Sequence, residues 1–469
     1  MPKHVSSAAL ALSLALTVGC RAEPRPQAAP SSPPSAYRDV PIGLCEDHPP
    51  ESTSEARLHE DFAALKQAGV SVLRVSFGWD DLEPERDSYD FAPVDQLLRV
   101  AEAAGVRLVP YVCYTPAWLA PEGVAPSDVY RAPPREPAQF EELMALLSER
   151  YRGRFTSWEL WNEPDNREYW LGTPAEYATL LAAGARGVRR GDPGARVVLG
   201  GIAGHLDFLE ELLVEHGAAR SVDVVNLHSY AETWNGEALE GIPDYLARAA
   251  ALVRTHGEGE PLWLAEVGYS SFRRERYVSD WYSARFDFEH TARFQASALV
   301  RVLALSRSVP ELELLAWYEL RDLPPGTEVI GDQNNRHLGV LTPAGEPKPA
   351  YQAMRRVAPL LRGPMRPLDV EVRASAPDAA PIEAYAYQRQ DGRCIVVTWL
   401  PTQRLRAASD RTEVRFALPA STSSAGARVL DEVGSESPTL PLDARTPILT
   451  SPLDLTAERT QLIVIEDCR

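Results

Sequence analysis

The sequence predicts an α/β protein, a (β/α)8 TIM barrel followed by a small antiparallel β domain. From residue 39 onward, short apolar runs bounded by turn residues alternate with longer segments of helical period. Eight such strands and eight such helices in about 320 residues are what a (β/α)8 barrel requires. A doubly wound open sheet is the alternative, but the glycine-rich loop that usually follows its first strand is absent.

The eight predicted strands are apolar runs that end at turn residues: Val40–Cys45, Ser71–Phe77, Arg107–Cys113, Ser157–Asn162, Arg196–Gly200, Asp223–His228, Leu262–Glu266 and Leu314–Tyr318. The predicted helices lie near 55–68, 92–104, 135–150, 174–190, 205–216, 242–256, 289–308 and 349–361. Several of them end at a glycine, which adopts left-handed backbone at little cost. These elements predict a catalytic barrel over residues 39–362.

The pattern changes after residue 362. Two period-two runs flank Asp391 and Gly392, a pair that favours a tight hairpin turn. Further strand-like runs follow at 412–417, 427–430 and 461–465, and no helical period remains. Residues 363–469 are therefore predicted to form a β-sandwich-like domain.

The N-terminus predicts export. In residues 1–20 a lysine precedes an apolar run over 5–18, which is shorter than the roughly 20 residues that span a bilayer and fits a secretory signal. The segment ending in Cys20 resembles a bacterial lipoprotein signal, although Thr17 stands where that motif usually has leucine. The resemblance implies lipidation of Cys20 and a membrane contact through that anchor alone, with the proline-rich stretch 21–38 as a tether. Simple secretion is the alternative.

Composition excludes some classes of protein and partner. The 469 residues carry a net charge of −18, from 48 basic and 66 acidic side chains, which disfavours binding to nucleic acid. A hydrophobic content of 45% excludes a fully disordered or fibrous chain. Five cysteines are too few for a disulfide-built scaffold, and spacing leaves the pairing of the downstream four open: Cys45, Cys113, Cys394 and Cys468. No oligomeric state is predicted.

Two predicted strands end in glutamates. Strand four ends in WELWNEP, which contains Glu163, and strand seven ends in WLAEVG, which contains Glu266. Functional groups of a (β/α)8 barrel collect at the carboxyl ends of its strands, so the two carboxylates are expected to face each other. Glycosidic bond hydrolysis needs such a pair, one protonated and one ionised. A single glutamate at a strand end is usually only a solvated residue, but Pro164 after Asn162-Glu163 makes the first motif more specific.

These two motifs resemble those of the retaining β-glycosidases of glycoside hydrolase clan A, over roughly residues 40–360. The likeness is greatest to family 39, with family 5 as the second choice. It implies that Glu163 is the general acid and then the general base, and that Glu266 is the nucleophile. The carboxyl groups should then lie about 5–5.5 Å apart.

The same resemblance assigns supporting roles. Asn162 would donate to the 2-hydroxyl of the sugar, and Arg74 on strand two would hold Glu266 ionised through a bidentate contact. His228 would line the sugar site, and Tyr230 would donate a hydrogen bond to Glu266. The alternative for Arg74 is a structural arginine in the barrel floor, and the alternative for His228 is a satisfied core histidine.

Aromatic side chains would supply stacking surfaces for sugar rings. Trp317 at the end of strand eight matches the clan's tryptophan beneath the reactive sugar. Three further aromatic residues in the loops after strands two and three could line outer subsites: Trp79, Tyr114 and Trp118. Trp158 and Trp161 are expected in the core. Glu159 would be a buried carboxylate that needs a partner, for which Arg74 is a candidate.

The remaining signals concern the loop 270–288 and the histidines. The loop carries aromatic residues and arginines, and it could close one end of the cleft or bind an acidic polymer. The histidines lack metal-ligand spacing such as H-E-x-x-H, and no phosphate-binding or serine-nucleophile motif occurs, so no metal or cofactor is predicted.

The predicted function is retaining hydrolysis of β-linked oligo- or polysaccharide by double displacement. A non-catalytic carbohydrate-binding lipoprotein is one alternative, although such a protein would usually have lost one of the two glutamates. A transglycosylase that remodels exopolysaccharide is another. Sugar, linkage and exo or endo action stay open.

Overall fold

A computed structural model describes residues 36–327, 329–374, 382–418, 422–443, 448–449, 453–456 and 458–468. The predicted signal at 1–20, with Cys20, and most of the tether at 21–38 lie outside these residues. Among the residues described, none of the helices combines the length and the apolar character that a bilayer crossing requires.

Eight parallel strands form the predicted barrel: β1 (Ile42–Cys45), β2 (Val72–Gly78), β3 (Arg107–Cys113), β4 (Ser157–Leu160), β5 (Arg196–Leu199), β6 (Val225–Ser229), β7 (Leu262–Val267) and β8 (Leu312–Tyr318). Their order in the sheet is β5-β4-β3-β2-β1-β8-β7-β6. Parallel bridges between Val198 and Val224, and between Ile202 and Leu227, close the ring between β5 and β6. Because both faces are covered, the strands are buried along nearly their whole length.

The α-helices are α1 (Glu55–Gln67), α2 (Trp79–Leu82), α3 (Ala92–Ala104), α4 (Pro137–Arg150), α5 (Pro174–Gly191), α6 (Leu206–Val214), α7 (Ile242–His256), α8 (Ala292–Arg307) and α9 (Pro349–Arg356). All of them except α2 lie close to their predicted positions. Local sequence sets several ends. Thr173 and Glu176 form a capping box that begins α5, and Gly105, with φ of 72°, ends α3. The short α2 was not predicted.

The barrel interior is layered. An apolar layer fills its amino-terminal half: Val72, Val109, Val198, Val224, Trp263, Ala265 and Leu314. Two residues further along the strands the interior positions become polar, as at Arg74 on β2 and Asn226 on β6. The charged groups therefore stand above a packed floor, at the end where barrel enzymes bind their substrates.

The C-terminal region consists of antiparallel strands: β9 (Met365–Leu368), β10 (Glu371–Ala374), β11 (Glu383–Arg389), β12 (Cys394–Trp399), β13 (Arg411–Ala417), β14 (Gly426–Asp431), β15 (Glu436–Asp443), β16 (Ile448–Leu449), β17 (Leu453–Thr456) and β18 (Gln461–Ile465). The hairpin predicted at Asp391 joins β11 to β12. A disulfide joins Cys394 to Cys468, whereas Cys45 and Cys113 are buried free thiols.

The C-terminal strands pack on α8. Ser297 and Arg301 of this helix hydrogen-bond to Thr460, and Tyr387 donates to the carbonyl of Ala304. This packing explains why α8 is buried over all of Phe294–Arg307, unlike an ordinary outer barrel helix.

Candidate active site

Two glutamates meet at the carboxyl ends of β4 and β7. Glu163 follows β4, Glu266 lies near the end of β7, and both are at most 8% exposed. One oxygen of each carboxyl lies within 4.8 Å of an oxygen of the other. Retaining glycosidases hold these groups about 5–5.5 Å apart, whereas inverting enzymes need about 6.5–9.5 Å to admit a water molecule. An upper bound of 4.8 Å between these two oxygens lies on the retaining side of this division.

An irregularity in β7 turns Glu266 into the barrel. Trp263 and Ala265 face the interior, so strict alternation would turn Glu266 outward. The pairing of β6 with β7 shifts by one residue just before His228, which then lies opposite Glu266. A bulge of this kind re-aims a side chain. Here it brings the carboxylate to the same side as His228.

The backbone that carries Glu163 is held in an unusual conformation. Trp161 and Glu163 have positive φ angles of 82° and 43°. Such left-handed residues cost about 1–3 kcal/mol each and persist where surrounding contacts hold them. Trp161 is fully buried, as predicted, and its indole N–H donates to the carbonyl of Tyr169 at 3.0 Å. Its ring also packs edge-on against Trp170, so this core residue holds the turn that presents Glu163.

Arg74 lies inside the barrel on β2 and contacts Glu266, but not in the predicted way. Its Nη1 donates to Oε2 of Glu266 at 2.7 Å. The bidentate contact goes instead to Glu159, whose two oxygens accept from Nε and Nη2 at 2.8 Å each. Nη2 also donates to Oδ1 of Asn162 at 2.7 Å. The edge formed by Nε and Nη2 is therefore occupied by Glu159 and Asn162, and Glu266 is contacted through Nη1 alone.

Glu159 is the buried carboxylate that was expected to need a partner. Besides the two N–H groups of Arg74, it accepts the main-chain N–H of Gly201 at 3.1 Å and Nδ2 of Asn226 at 3.0 Å. Four N–H donors thus compensate a charge that has no exposure to water. Asn226 was not predicted. Its signal in the sequence is a polar residue two positions before His228, on the same side of β6.

His228 and Tyr230 both touch the glutamate pair. Nδ1 of His228 lies 2.9 Å from Oε1 of Glu163 and 3.6 Å from Oε2 of Glu266. Burial lowers the pKa of His228 to about 4, so the imidazole is neutral at neutral pH. Tyr230 donates to Oε1 of Glu266 at 2.5 Å. A Cβ at Gly201 would lie 1.9 Å from Nε2 of His228, so only glycine leaves room for this ring.

The two glutamates differ in electrostatic environment. Burial raises the pKa of Glu163 to about 7, although Asn166 donates to its Oε2 at 2.8 Å and favours the charged form. Burial also raises the pKa of Glu266, but Arg74 and Tyr230 donate to its two oxygens and favour ionisation. Glu266 has the guanidinium contact and Glu163 does not. Glu163 is therefore the group suited to carry the proton.

The aromatic residue at the end of β8 that faces this site is Tyr318, not the predicted Trp317. Tyr318 pairs with Cys45 of β1, whose thiol donates to the carbonyl of Ala265 inside the barrel. The ring of Tyr318 lies 6.3 Å from that of Tyr230. Trp317 has the opposite parity and packs with the outer apolar core. The prediction for Trp317 was wrong because two adjacent aromatic residues leave the facing one undetermined until the register is known.

The three aromatic residues predicted for outer subsites have different positions. Trp79 is fully buried at the start of α2, packs on Phe140, and donates its indole N–H to Glu83, so it offers no face to a sugar. Trp118 is half-buried, and the guanidinium of Arg86 covers its ring at 4.9 Å. Tyr114 lines a cavity of about 630 Å³ at the ends of β1 to β3. Of the three, the prediction remains open for Tyr114 and Trp118.

The cluster of Glu163, His228 and Glu266 also has a spacing that could hold a metal ion, since one ligand atom of each lies within 4.8 Å of the others. The guanidinium of Arg74 already lies beside Glu266 and donates to it, and Asn166 donates to Glu163. These contacts suit one carboxyl that stays ionised and one that takes up and releases a proton. In the part of the chain described, two other groups have such spacing: Glu46, His48 and Asp61, and Glu211, Glu215 and His216.

Comparison with known proteins agrees with this geometry. The profile of "Glycosyl hydrolases family 39" matches residues 51–360. A family 39 glycoside hydrolase from Bacteroides cellulosilyticus WH2 superposes with a TM-score of 0.67 at 21% identity, over 92% of this chain and 81% of that one. A family 39 β-xylosidase from Caulobacter crescentus gives 0.62 at 16%, over 92% and 97%.

A curated relative, the β-galactosidase LacZ of Heyndrickxia coagulans, is 32% identical over 76 residues, which are 16% of this chain and 11% of that protein. This short match says little about shared activity. The family profile, in contrast, covers most of the barrel and both glutamate motifs. The chain belongs to glycosyl hydrolases family 39.

Proposed function

We propose that this glycoside hydrolase cleaves β-linked oligo- or polysaccharides by double displacement, with retention at the anomeric carbon. The observation that carries the proposal is the close, asymmetric carboxyl pair. Glu266 accepts hydrogen bonds from Arg74 and Tyr230, while Glu163, within 4.8 Å, has a pKa raised to about 7 by burial.

In the first step, Oε1 or Oε2 of ionised Glu266 attacks the anomeric carbon and the bond to the leaving oxygen breaks. Glu163 gives its proton to that oxygen, which departs as a hydroxyl group. Tyr230 and Arg74 hold the attacking carboxylate in place through one hydrogen bond on each oxygen. The product of this step is a glycosyl ester of Glu266.

In the second step, Glu163 is ionised and removes a proton from water, which attacks the anomeric carbon and releases Glu266. His228 is neutral and its Nδ1 lies 2.9 Å from Glu163. It therefore contacts this carboxyl in both of its charge states without adding a positive charge. Asn162 has its Oδ1 bound to Arg74, so its amide N–H group is the end left to donate to the sugar 2-hydroxyl.

The test is hydrolysis of 4-nitrophenyl β-glycosides of xylose, glucose, galactose and mannose, followed by proton NMR of the first-formed sugar. We expect at least one substrate to be cleaved and to release the β-anomer before mutarotation. An α-anomer would contradict retention, and absence of any cleavage would favour the carbohydrate-binding alternative. Disaccharide products that accumulate at high acceptor concentration would favour the transglycosylase.

The Asn166→Ala variant should shift the pH profile. Asn166 donates to Glu163 and favours its ionised form, so its loss should raise the pKa of Glu163. In the wild type, kcat/KM is expected to decline with rising pH near pH 7. In the variant this decline should move upward by about one pH unit, because a hydrogen bond to a charged group contributes about that much to a pKa. A matched control is Asn335→Ala, which lies in the loop after β8. A downward shift would contradict the assignment of the acid.

We further propose that the protein is exported, as the N-terminal sequence predicts. The disulfide between Cys394 and Cys468 supports this, since such bonds persist in oxidising compartments. Fractionation of bacterial cells that express the full chain tests it, and recovery in the cytosol with reduced cysteines would contradict it.

A further inference from the structure

The loop 270–288 after β7 displays two aromatic side chains to solvent. Trp281 is 62% exposed and Tyr277 is 45% exposed, and both belong to the same short hairpin. An exposed tryptophan leaves a large apolar face in water, and apolar side chains exposed together mark binding surfaces.

This loop is held in place by its own small core. Val278, Tyr282 and Ala284 are buried together beneath it, and Asn334 donates to the carbonyl of Val278 at 3.0 Å. Arginines of the loop donate to main-chain carbonyls: Arg273 to Phe286, Arg276 to Arg285, and Arg285 to Gln403 and Leu405. Three of the four arginines in this loop thus serve to hold it, which weakens the alternative of an acidic polymer.

The hairpin that displays these aromatics contacts the segment that follows β6, which also carries Tyr230. Tyr230, which donates to Glu266, packs against Trp234 with ring centroids 4.6 Å apart. The segment after Trp234 touches the displayed hairpin, since a Cβ at Gly236 would lie 3.2 Å from the carbonyl oxygen of Trp281. The hydroxyl of Ser279 also donates to the carbonyl of Thr233, which joins the two loops.

We propose that Trp281 and Tyr277 form a stacking platform for sugar residues of a neutral β-linked polysaccharide that extends from the catalytic cleft. The inference rests on the proposed function and adds that the substrate is a chain rather than a short glycoside. Sugar rings present apolar C–H faces that pack on flat side chains, and a rigid platform binds them with little loss of entropy.

The test uses Glu266→Gln as background, so that bound chains are not degraded. Native gels containing xylan, mixed-linkage β-glucan, β-galactan or β-mannan measure Kd by retardation, with alginate as an acidic polymer for comparison. We expect retardation by at least one neutral polysaccharide, and about tenfold weaker binding after Trp281→Ala or Tyr277→Ala. Tyr37→Ala, which removes an exposed tyrosine beside β9, should leave Kd unchanged.

Equal Kd values with and without Trp281, or no retardation by any neutral polysaccharide, would overturn the platform. Retardation by alginate alone would contradict the proposal that the bound polysaccharide is neutral. Sedimentation velocity completes the test, because dissociation of a dimer by Trp281→Ala would make this surface a subunit interface instead. The binding assay does not depend on turnover, so its failure is distinguishable from failure of the aryl glycoside test.

Discussion

Glu266→Gly is expected to abolish turnover of the best 4-nitrophenyl β-glycoside, with kcat/KM reduced on the order of 10⁵-fold, and sodium azide is expected to restore it. The variant removes the carboxylate that attacks the anomeric carbon and leaves a space beside Arg74 and Tyr230. Azide can enter this space and attack from the same side, while Glu163 still protonates the leaving oxygen. With one displacement instead of two, the product should be the α-glycosyl azide.

The matched variant is Glu163→Gly, which should behave differently. It keeps the nucleophile, so substrates with very good leaving groups should still form the glycosyl ester. Azide would then attack that ester and give the β-glycosyl azide. NMR of the two azide products assigns both glutamates in one experiment. A β-azide from Glu266→Gly, or no azide product from either variant, would contradict the proposed roles.

Arg74→Met should cost about 3–5 kcal/mol of unfolding free energy and most of the activity. Arg74 is 1% exposed and donates to both Glu159 and Glu266. Removing this guanidinium leaves two buried carboxylates without their positive partner, and an uncompensated buried charge strongly destabilises the folded state. Urea unfolding at pH 7 measures the stability loss. Arg186→Met, which breaks an exposed pair with Glu141, should change stability by no more than about 1 kcal/mol.

A double variant separates the structural role of Arg74 from its catalytic one. Glu159→Gln in the Arg74→Met background removes one of the two uncompensated buried charges, so part of the lost stability should return. Activity should not return, because Glu266 still lacks its guanidinium contact and is harder to ionise. Recovery of kcat together with stability would show that Arg74 acts only by supporting the fold. A stability loss below about 1 kcal/mol in the single variant would contradict the buried network.

Much of the candidate site is visible in the sequence because it depends on local motifs in a regular fold. The strand and helix periods predicted the barrel, and the barrel brings the ends of strands four and seven to the same face. Glu163 and Glu266 had to lie there once those motifs were assigned to those strands. Trp161 could be placed in the core, and Glu159 could be identified as needing a partner, from the alternation of side chains alone.

The features of the site that the sequence did not predict depend on strand register and on contacts between strands that are distant in the chain. The pairing of β8 with β1 decides that Tyr318 faces the site and Trp317 does not. The bulge in β7, which re-aims Glu266, appears only as a one-residue shift against its neighbours. Likewise, the pairing of β12 with β18 places Cys394 within reach of Cys468.

The sequence by itself therefore predicted the fold class, most of the helix and strand positions and the two glutamate motifs, since each rests on residues close together in the chain. Only the tertiary structure decided which groups those glutamates contact. Arg74 divides its N–H groups among Glu159, Asn162 and Glu266, which come from two other strands. Such a division depends on how three strands align in space, and no spacing along one strand encodes it.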